Sequence, residues 1–236
     1  TMDEGFPVTK VVGYKNEERL VRKMRQCGCD FLKTEDVLDL PEQTFVRVAV
    51  PASKEYREFA RTHVVEAFGR EFVGDTVFGD MMAKRMLAAA YSKAKACAFG
   101  DILDSTSRRL VVFYNFDCEL EAIEAELDMR GRPWSLLSGK SHELESFRQC
   151  GDGVAIVQYQ AGAMGVNLQE ANICVYFSPP LASSLFEQSK KRIHRVGQDE
   201  PCTYYELVSV GTVEERVYAT LAKRQDYTER LFELGR

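Results

Sequence analysis

The chain has 236 residues, of which 45% are hydrophobic and 28% are charged, an ordinary composition for one large domain with an appendage. Its net charge of -5 excludes a global attraction to nucleic acid, so any such contact must come from a local patch. Seven scattered cysteines indicate free thiols in a reducing compartment, and no apolar run predicts a membrane span or a signal peptide.

Apolar runs alternate with helical patterns along the chain, which is typical of a parallel sheet with right-handed crossovers. The predicted strands are residues 44–50, 109–115, 134–138, 154–159, 172–177 and 203–209. The predicted helices are residues 16–26, 53–67, 79–98, 117–130, 141–149, 183–196 and 212–233. The stretch from Gly69 to Gly79 is predicted to be a loop. The whole pattern predicts an α/β fold.

The sequence QSKKRIHRVGQ, residues 188–198, places arginines where a phosphate could be bound. On a helix, three of its polar residues would share one face at i, i+4 and i+7, namely Gln188, Arg192 and Arg195. The opposite face, predicted to point to the core, carries Phe186, Ile193 and Val196. Arginine offers a planar fork of donors that matches phosphate oxygens. The same pattern is also typical of an ordinary solvated basic face.

A glycine-containing loop precedes this helix. The strand at 154–159 runs into residues 160–169, QAGAMGVNLQ, and a second apolar run at 173–177 leads through Pro179-Pro180 to the arginines. Small residues at the carboxyl end of a parallel strand let the backbone approach a ligand. The complete order of strand, glycine loop, strand, Pro-Pro turn and arginine segment is a far more specific indication of function than any one of these elements.

The arrangement resembles the second RecA-like lobe of superfamily 2 helicases and translocases, in the Swi/Snf-like branch. Residues 161–169 resemble its motif V, residues 188–198 its motif VI and residues 110–116, LVVFYNF, its motif IV. Gly211-Thr212-Val213-Glu214-Glu215 is similar to the start of its C-terminal bracing helix. The resemblance implies a three-layer RecA-like parallel sheet with helices on both faces. It also implies an inter-lobe segment at 1–43, lobe two at 44–210 and a bracing helix at 211–236.

Two departures resemble compact bacterial or phage members, which would be cytoplasmic. Tyr176-Phe177-Ser178-Pro179-Pro180 stands where the family usually has an aspartate and a tryptophan with Asn-Pro, and residues 69–107 leave little room for a helical insert. A phosphate loop is also missing, because Trp134 occupies the first glycine position before Gly139-Lys140-Ser141. We therefore expect that a first lobe precedes residue 1 and that this chain alone is inactive.

The resemblance implies roles for particular residues. Arg192 and Arg195 would be arginine fingers for hydrolysis of ATP, which the missing first lobe would hold with Mg²⁺, and we expect no metal site in this chain. The implied nucleotide-binding residues are Gln188, Gly165 and Asn167. The implied residues for DNA, expected to be double-stranded, are Asn115, Ser138, Gly139, Lys140, Gln160 and Gly162. For His194, a structural hydrogen bond and a catalytic role both remain open.

Two other interpretations stay open. The chain could be a non-catalytic RecA-like or Rossmann-like interaction module, although Gly151-x-Gly153 precedes its strand and does not fit a dinucleotide fingerprint. It could also be an RNA helicase lobe of the DEAD-box kind. That kind would carry H-R-x-G-R, and Gln198 stands in the place of the final arginine.

Overall fold

Six parallel strands form the central sheet in the computed structural model, which describes residues 15–29, 39–162 and 165–223. In sheet order they are β1 (Gln43–Pro51), β8 (Cys202–Val210), β7 (Ile173–Tyr176), β4 (Leu110–Tyr114), β6 (Val154–Gln158) and β5 (Trp134–Leu137). A separate antiparallel hairpin pairs β2 (Val64–Ala67) with β3 (Arg70–Val73). All six predicted strands are confirmed, and so is the RecA-like fold class.

Nine helices lie in the described residues. They are α1 (Glu17–Gln26), α2 (Lys54–Thr62), α3 (Val77–Ala89), α4 (Lys93–Asp104), α5 (Asp117–Met129), α6 (Glu145–Gln149), α7 (Tyr159–Gly162), α8 (Ser183–Lys190) and α9 (213–223). The described residues from Asp39 to Lys223 form one compact unit, and α1 belongs to a second unit. None of these helices has the length and apolar character that a membrane span requires.

Apolar side chains cover both faces of the sheet. On the central strand β4, Val111 and Phe113 point to one side, where they pack with Phe147 of α6 and with residues of α8 and α9. Leu110 and Val112 point to the other side, where residues of α4 and α5 cover them. A strand buried on both faces reads as a continuous apolar run, which is why the sequence LVVFY was recognisable. The structure therefore has the expected three layers.

The segment between β1 and β4 differs from the prediction. The helix expected at 53–67 ends at Thr62, because His63 takes a left-handed φ of 58° and caps it. The predicted loop from Gly69 holds strand β3 and the start of α3. Phe68 and Gly69 both have positive φ, at 55° and 70°, which is the backbone of a tight hairpin turn. The predicted helix 79–98 is two helices, since Ser92 caps α4 through the Lys95 amide.

Candidate nucleotide and nucleic-acid site

The loop after β6 and the segment after α8 meet through their backbones. Gly165 takes a left-handed φ of 81°, and the Leu168 amide N–H donates to the Arg192 carbonyl at 3.1 Å. This bond joins the region resembling motif V to the region resembling motif VI. We call residues 191–198 the arginine turn, because the chain there is irregular rather than helical.

The predicted helix 183–196 is wrong beyond Lys190. The Tyr204 hydroxyl donates to the Lys190 carbonyl at 2.9 Å, and the Gln198 amide donates to the Ile193 carbonyl at 3.2 Å. The Lys190 carbonyl also accepts the His194 backbone N–H at 3.2 Å, whereas the Ile193 carbonyl is bonded by the Gln198 side chain. Phe186 and Ile193 are buried as expected, whereas Val196 is 64% exposed and does not belong to the core face.

The two arginines lie together on this turn. The Arg195 guanidinium donates to Asn167 Oδ1. Arg192 Nε is buried and has no hydrogen-bond partner within the described residues. Burial, and next the charge of Arg195, lower the pKa of Arg192. Two guanidinium groups with an unpartnered donor form a surface that favours an anionic oxygen ligand. Gln188 lies exposed on α8, one turn before Arg192.

The candidate DNA-binding residues follow the carboxyl ends of β4, β5 and β6, which lie at the same edge of the sheet. Gly139, Lys140 and Gln160 are exposed. Ser138 is buried, and its hydroxyl accepts the Lys140 and Ser141 amides, both at 3.2 Å. This hydroxyl therefore shapes the turn that carries Lys140. Gly162 is the last residue described in α7.

Asn115 lies at this edge but uses its side chain inside the protein. Its Nδ2 donates to Ser178 Oγ at 2.7 Å and to the Pro179 carbonyl at 3.2 Å. Ser178 Oγ donates to the Glu119 carboxylate at 2.8 Å, and the Asn115 amide N–H donates to the same carboxylate at 2.8 Å. Arg85 donates to the Pro179 carbonyl at 3.2 Å. The network orders the Ser-Pro-Pro turn in which this sequence departs from the family.

Glu119 makes this network sensitive to pH. Burial raises the pKa of Glu119 from its ordinary value of 4.5 to about 7. Between these values the folded chain keeps a proton that the unfolded chain has released. Raising the pH through that window should therefore lower the free energy of unfolding, by on the order of 3 kcal/mol for this group alone.

We expect Glu119→Gln to flatten the change in unfolding free energy between pH 5 and pH 8. Other buried acids contribute to the wild-type profile, so the difference between variant and wild type is the quantity to measure by urea denaturation. Asp117→Asn, which alters an exposed carboxylate on the same helix turn, is the control. Parallel profiles for wild type and Glu119→Gln would show that this carboxyl group does not hold its proton in the folded chain.

A buried ion pair was not expected from the sequence. Lys95 Nζ contacts both carboxylate oxygens of Glu214 at 2.6 Å, and both side chains are almost fully buried. Glu214 also accepts the Ser209 amide at 2.9 Å. The pair joins α4 to the start of α9, which the resemblance assigned to the bracing helix. Removing one partner from such a pair leaves an uncompensated buried charge.

Part of the chain is similar to a known family of domains and to several curated proteins. Residues 94–197 match the family described as Helicase conserved C-terminal domain. The chain is 35% identical over 78 residues to a transcriptional regulator ATRX homolog of Drosophila melanogaster and to the human DNA excision repair protein ERCC-6. Each match covers 33% of this chain, and it covers 6% and 5% of the respective relative. An SWI/SNF-related, DEAD/H box-containing homolog of Caenorhabditis elegans is 29% identical over 129 residues, or 52% of this chain and 13% of the relative.

Among solved structures, the C-terminal part of the Fun30 ATPase domain shares the fold, with a TM-score of 0.51 and 22% identity over 55% of this chain and 45% of that one. The chain thus spans only a small part of the curated relatives, and these are animal proteins that do not support a bacterial or phage origin. The sheet order, the glycine loop, the arginine turn and these matches together support the resemblance to superfamily 2 helicases, in particular to the C-terminal RecA-like lobe of the Swi/Snf-like branch.

Proposed function

We propose that this chain is the second lobe of an ATP-dependent DNA translocase or helicase. In this proposal a first RecA-like lobe of the same polypeptide holds ATP and Mg²⁺, and Arg192 and Arg195 reach the γ-phosphate across the cleft. We call the polypeptide with both lobes the two-lobed protein. The observation that carries the proposal is the pair of arginines, of which one has a buried Nε that finds no partner among the residues the structure describes. Relatives named as an ATPase, INO80, and as a DNA repair protein, ERCC-6, support it.

The arginine turn fits this chemistry. Phosphoryl transfer spreads negative charge over the γ-phosphate oxygens, and fixed cations stabilise that charge. Arg192 and Arg195 supply only donors and positive charge, so they match oxygen atoms of a phosphate. Asn167 orients Arg195 beside Arg192 through its Oδ1, which offsets part of the repulsion between the two cations. Gln188 and Gly165 would line the same nucleotide site from α8 and from the loop after β6.

DNA would bind at the edge formed by the carboxyl ends of the strands. Gly139, Lys140 and Gln160 are exposed there, and Ser138 fixes the turn that presents Lys140. Backbone amides and one positive charge suit contacts to phosphates of a double-stranded substrate. Asn115 would act indirectly, since its amide orders the Ser178-Pro179 turn beside this edge.

Binding of DNA by this chain should be weak and only slightly dependent on salt. A small patch on a chain with net charge -5 neutralises few phosphates, so affinity should be at or below the usual non-specific range of about 10⁻⁴ to 10⁻⁶ M. The two-lobed protein should show a steeper salt slope. The measurement is a salt titration of duplex binding, and Lys140→Ala should weaken binding in both forms.

Lys223→Ala is the matched control, because Lys223 is exposed at the far end of α9. The helix starts after the carboxyl end of β8, and its Tyr218 and Leu221 pack into the core cluster on one face of the sheet. A slope equivalent to about six or more phosphates for this chain alone would mean that another basic surface binds DNA. If Lys140→Ala and Lys223→Ala weakened binding equally, this result would also mean that DNA does not bind specifically at the turn that carries Lys140.

The contacts of Gln198 favour this function over an RNA helicase of the DEAD-box kind. In that pattern an arginine would stand at position 198 and add a third cation. Here Gln198 is 7% exposed and its side chain bonds backbone carbonyls. The alternative of a non-catalytic module is tested by DNA-stimulated ATP hydrolysis in the two-lobed protein, which should require Arg192 and Arg195.

A further inference from the structure

Gln198 holds the backbone of the arginine turn against the glycine loop. Its Nε2 lies 3.1 Å from the Gln169 carbonyl, 2.9 Å from the Ala171 carbonyl and 3.2 Å from the Ile193 carbonyl. Its Oε1 accepts the Glu200 amide at 3.1 Å. The two N–H donors of one primary amide are therefore shared among three carbonyls from two segments, and its oxygen accepts one backbone N–H group.

The point at which Gln198 acts lies between the two arginines. Ile193 directly follows Arg192, and the Arg192 carbonyl is itself held by the Leu168 amide at 3.1 Å. The backbone of Arg192 and Ile193 is thus fixed on two sides by the segment from 168 to 171. This turn lacks a continuous series of helical hydrogen bonds. These contacts therefore fix the backbone positions from which the Arg192 and Arg195 side chains extend.

His194 ties the same turn to the segment that leads into β1. Its Nε2 lies 2.8 Å from the Pro41 carbonyl. A carbonyl oxygen can only accept, so Nε2 must carry the proton and donate it. The ring of His194 is partly buried, and this residue lies between Arg192 and Arg195 in the sequence. Its partner, Pro41, belongs to residues 39–42, which precede strand β1. The arginine turn is therefore held at two points: Gln198 bonds it to the loop after β6, and His194 bonds it to residues 39–42.

We propose that Gln198 and His194 are positioning residues for the arginine pair: Gln198 fixes the turn to the loop after β6, and His194 fixes it to residues 39–42. This inference rests on the proposed function of Arg192 and Arg195. Neither residue contacts the phosphate. Each sets the backbone from which the guanidinium groups extend, and an error of about 1 Å in such a group can reduce turnover about 100-fold.

The test compares steady-state ATP hydrolysis of variants in the two-lobed protein. Gln198→Met keeps the side-chain length and removes every hydrogen bond, and His194→Phe keeps a ring and removes the donor. Both should lower kcat about 10- to 100-fold with little change in KM for ATP. His194→Gln, which retains a donor toward Pro41, should recover most of the loss. Turnover is normalised to the fraction of molecules that bind a fluorescent ATP analogue, so that misfolded protein does not count.

A background in which both Arg192 and Arg195 are alanine separates positioning from a general loss of stability. If Gln198 and His194 act through the arginines, adding Gln198→Met or His194→Phe to that double variant should change its residual kcat by less than about threefold. Full multiplicative losses in that background, or normal kcat in the single variants, would overturn the inference while leaving the arginine fingers intact. Wild-type turnover by Arg195→Ala itself would instead refute the proposed function. If Gln198→Met fails to fold, the His194 pair of variants decides the matter.

Discussion

Replacing Arg192 or Arg195 with alanine in the two-lobed protein should lower ATP turnover about 10³-fold or more, because an arginine finger contributes about 10³ to 10⁵ in rate. ATP affinity should stay within roughly tenfold of wild type, since the finger acts mainly on charge that develops in the transition state. The measurement is DNA-stimulated phosphate release over a range of ATP concentrations.

Lys191→Ala is the matched control for these variants. Lys191 is exposed, cationic and adjacent to Arg192 in the same turn, but it has no part in the proposed contact. We expect its turnover to resemble that of wild type. If Arg192→Ala and Arg195→Ala also stay within about threefold of wild type, the two arginines form a solvated basic surface and have no catalytic role.

This chain by itself should hydrolyse no ATP and should bind it weakly. Its nearest likeness to a phosphate loop, Gly139-Lys140-Ser141, lacks the first glycine, where Trp134 begins strand β5. The amides of Lys140 and Ser141 are already donated to Ser138 Oγ, so they are not arranged to cradle phosphates. Hydrolysis is measured with and without duplex DNA.

Protein purified with Arg195→Ala provides the control for contaminating activity. DNA-stimulated hydrolysis by the isolated chain that survives this substitution would show that a complete active site exists without a first lobe. Activity that disappears with Arg195→Ala would instead show that the arginines act on ATP bound within this chain. Either result would contradict the proposal that a first lobe holds ATP and that this lobe supplies only the arginines.

The sheet could be predicted from the sequence because its strands are buried on both faces. Strands such as β4 and β6 are continuous apolar runs bounded by polar residues, a signal that does not depend on distant contacts. The hairpin β2–β3 was missed because its strands are only four residues long. Val65, Ala67 and Phe72 are its buried positions, and this short alternation resembled a continuing helix.

The candidate site was predictable only in part. The resemblance to a known family placed Arg192, Arg195 and Asn167 in one region, and the structure brings Arg195 and Asn167 into contact. The structure also shows contacts over long separations that no local pattern encodes. Asn115 pairs with Ser178 across 63 positions and Lys95 with Glu214 across 119, and both contacts are created by the order of strands in the sheet.

The end of α8 illustrates the same limit. Helical spacing predicted that Arg192 and Arg195 would share a helix face, whereas the chain leaves the helix at Lys190. The Tyr204 hydroxyl shares the Lys190 carbonyl with the His194 backbone N–H, and the Gln198 side chain bonds the Ile193 carbonyl. The sequence therefore identified the arginines through their motif, and tertiary contacts determine the backbone that presents them.

The most direct test of the central claim is the affinity of the two-lobed protein for ADP with aluminium fluoride, a mimic of the phosphoryl group in the transition state. A finger binds that group and not ADP alone, so Arg195→Ala should weaken binding of the mimic about 100-fold or more while ADP affinity changes little. Lys191→Ala should leave both affinities unchanged. Equal affinity of wild type and Arg195→Ala for the mimic would contradict the claim that this lobe supplies the charge that stabilises phosphoryl transfer.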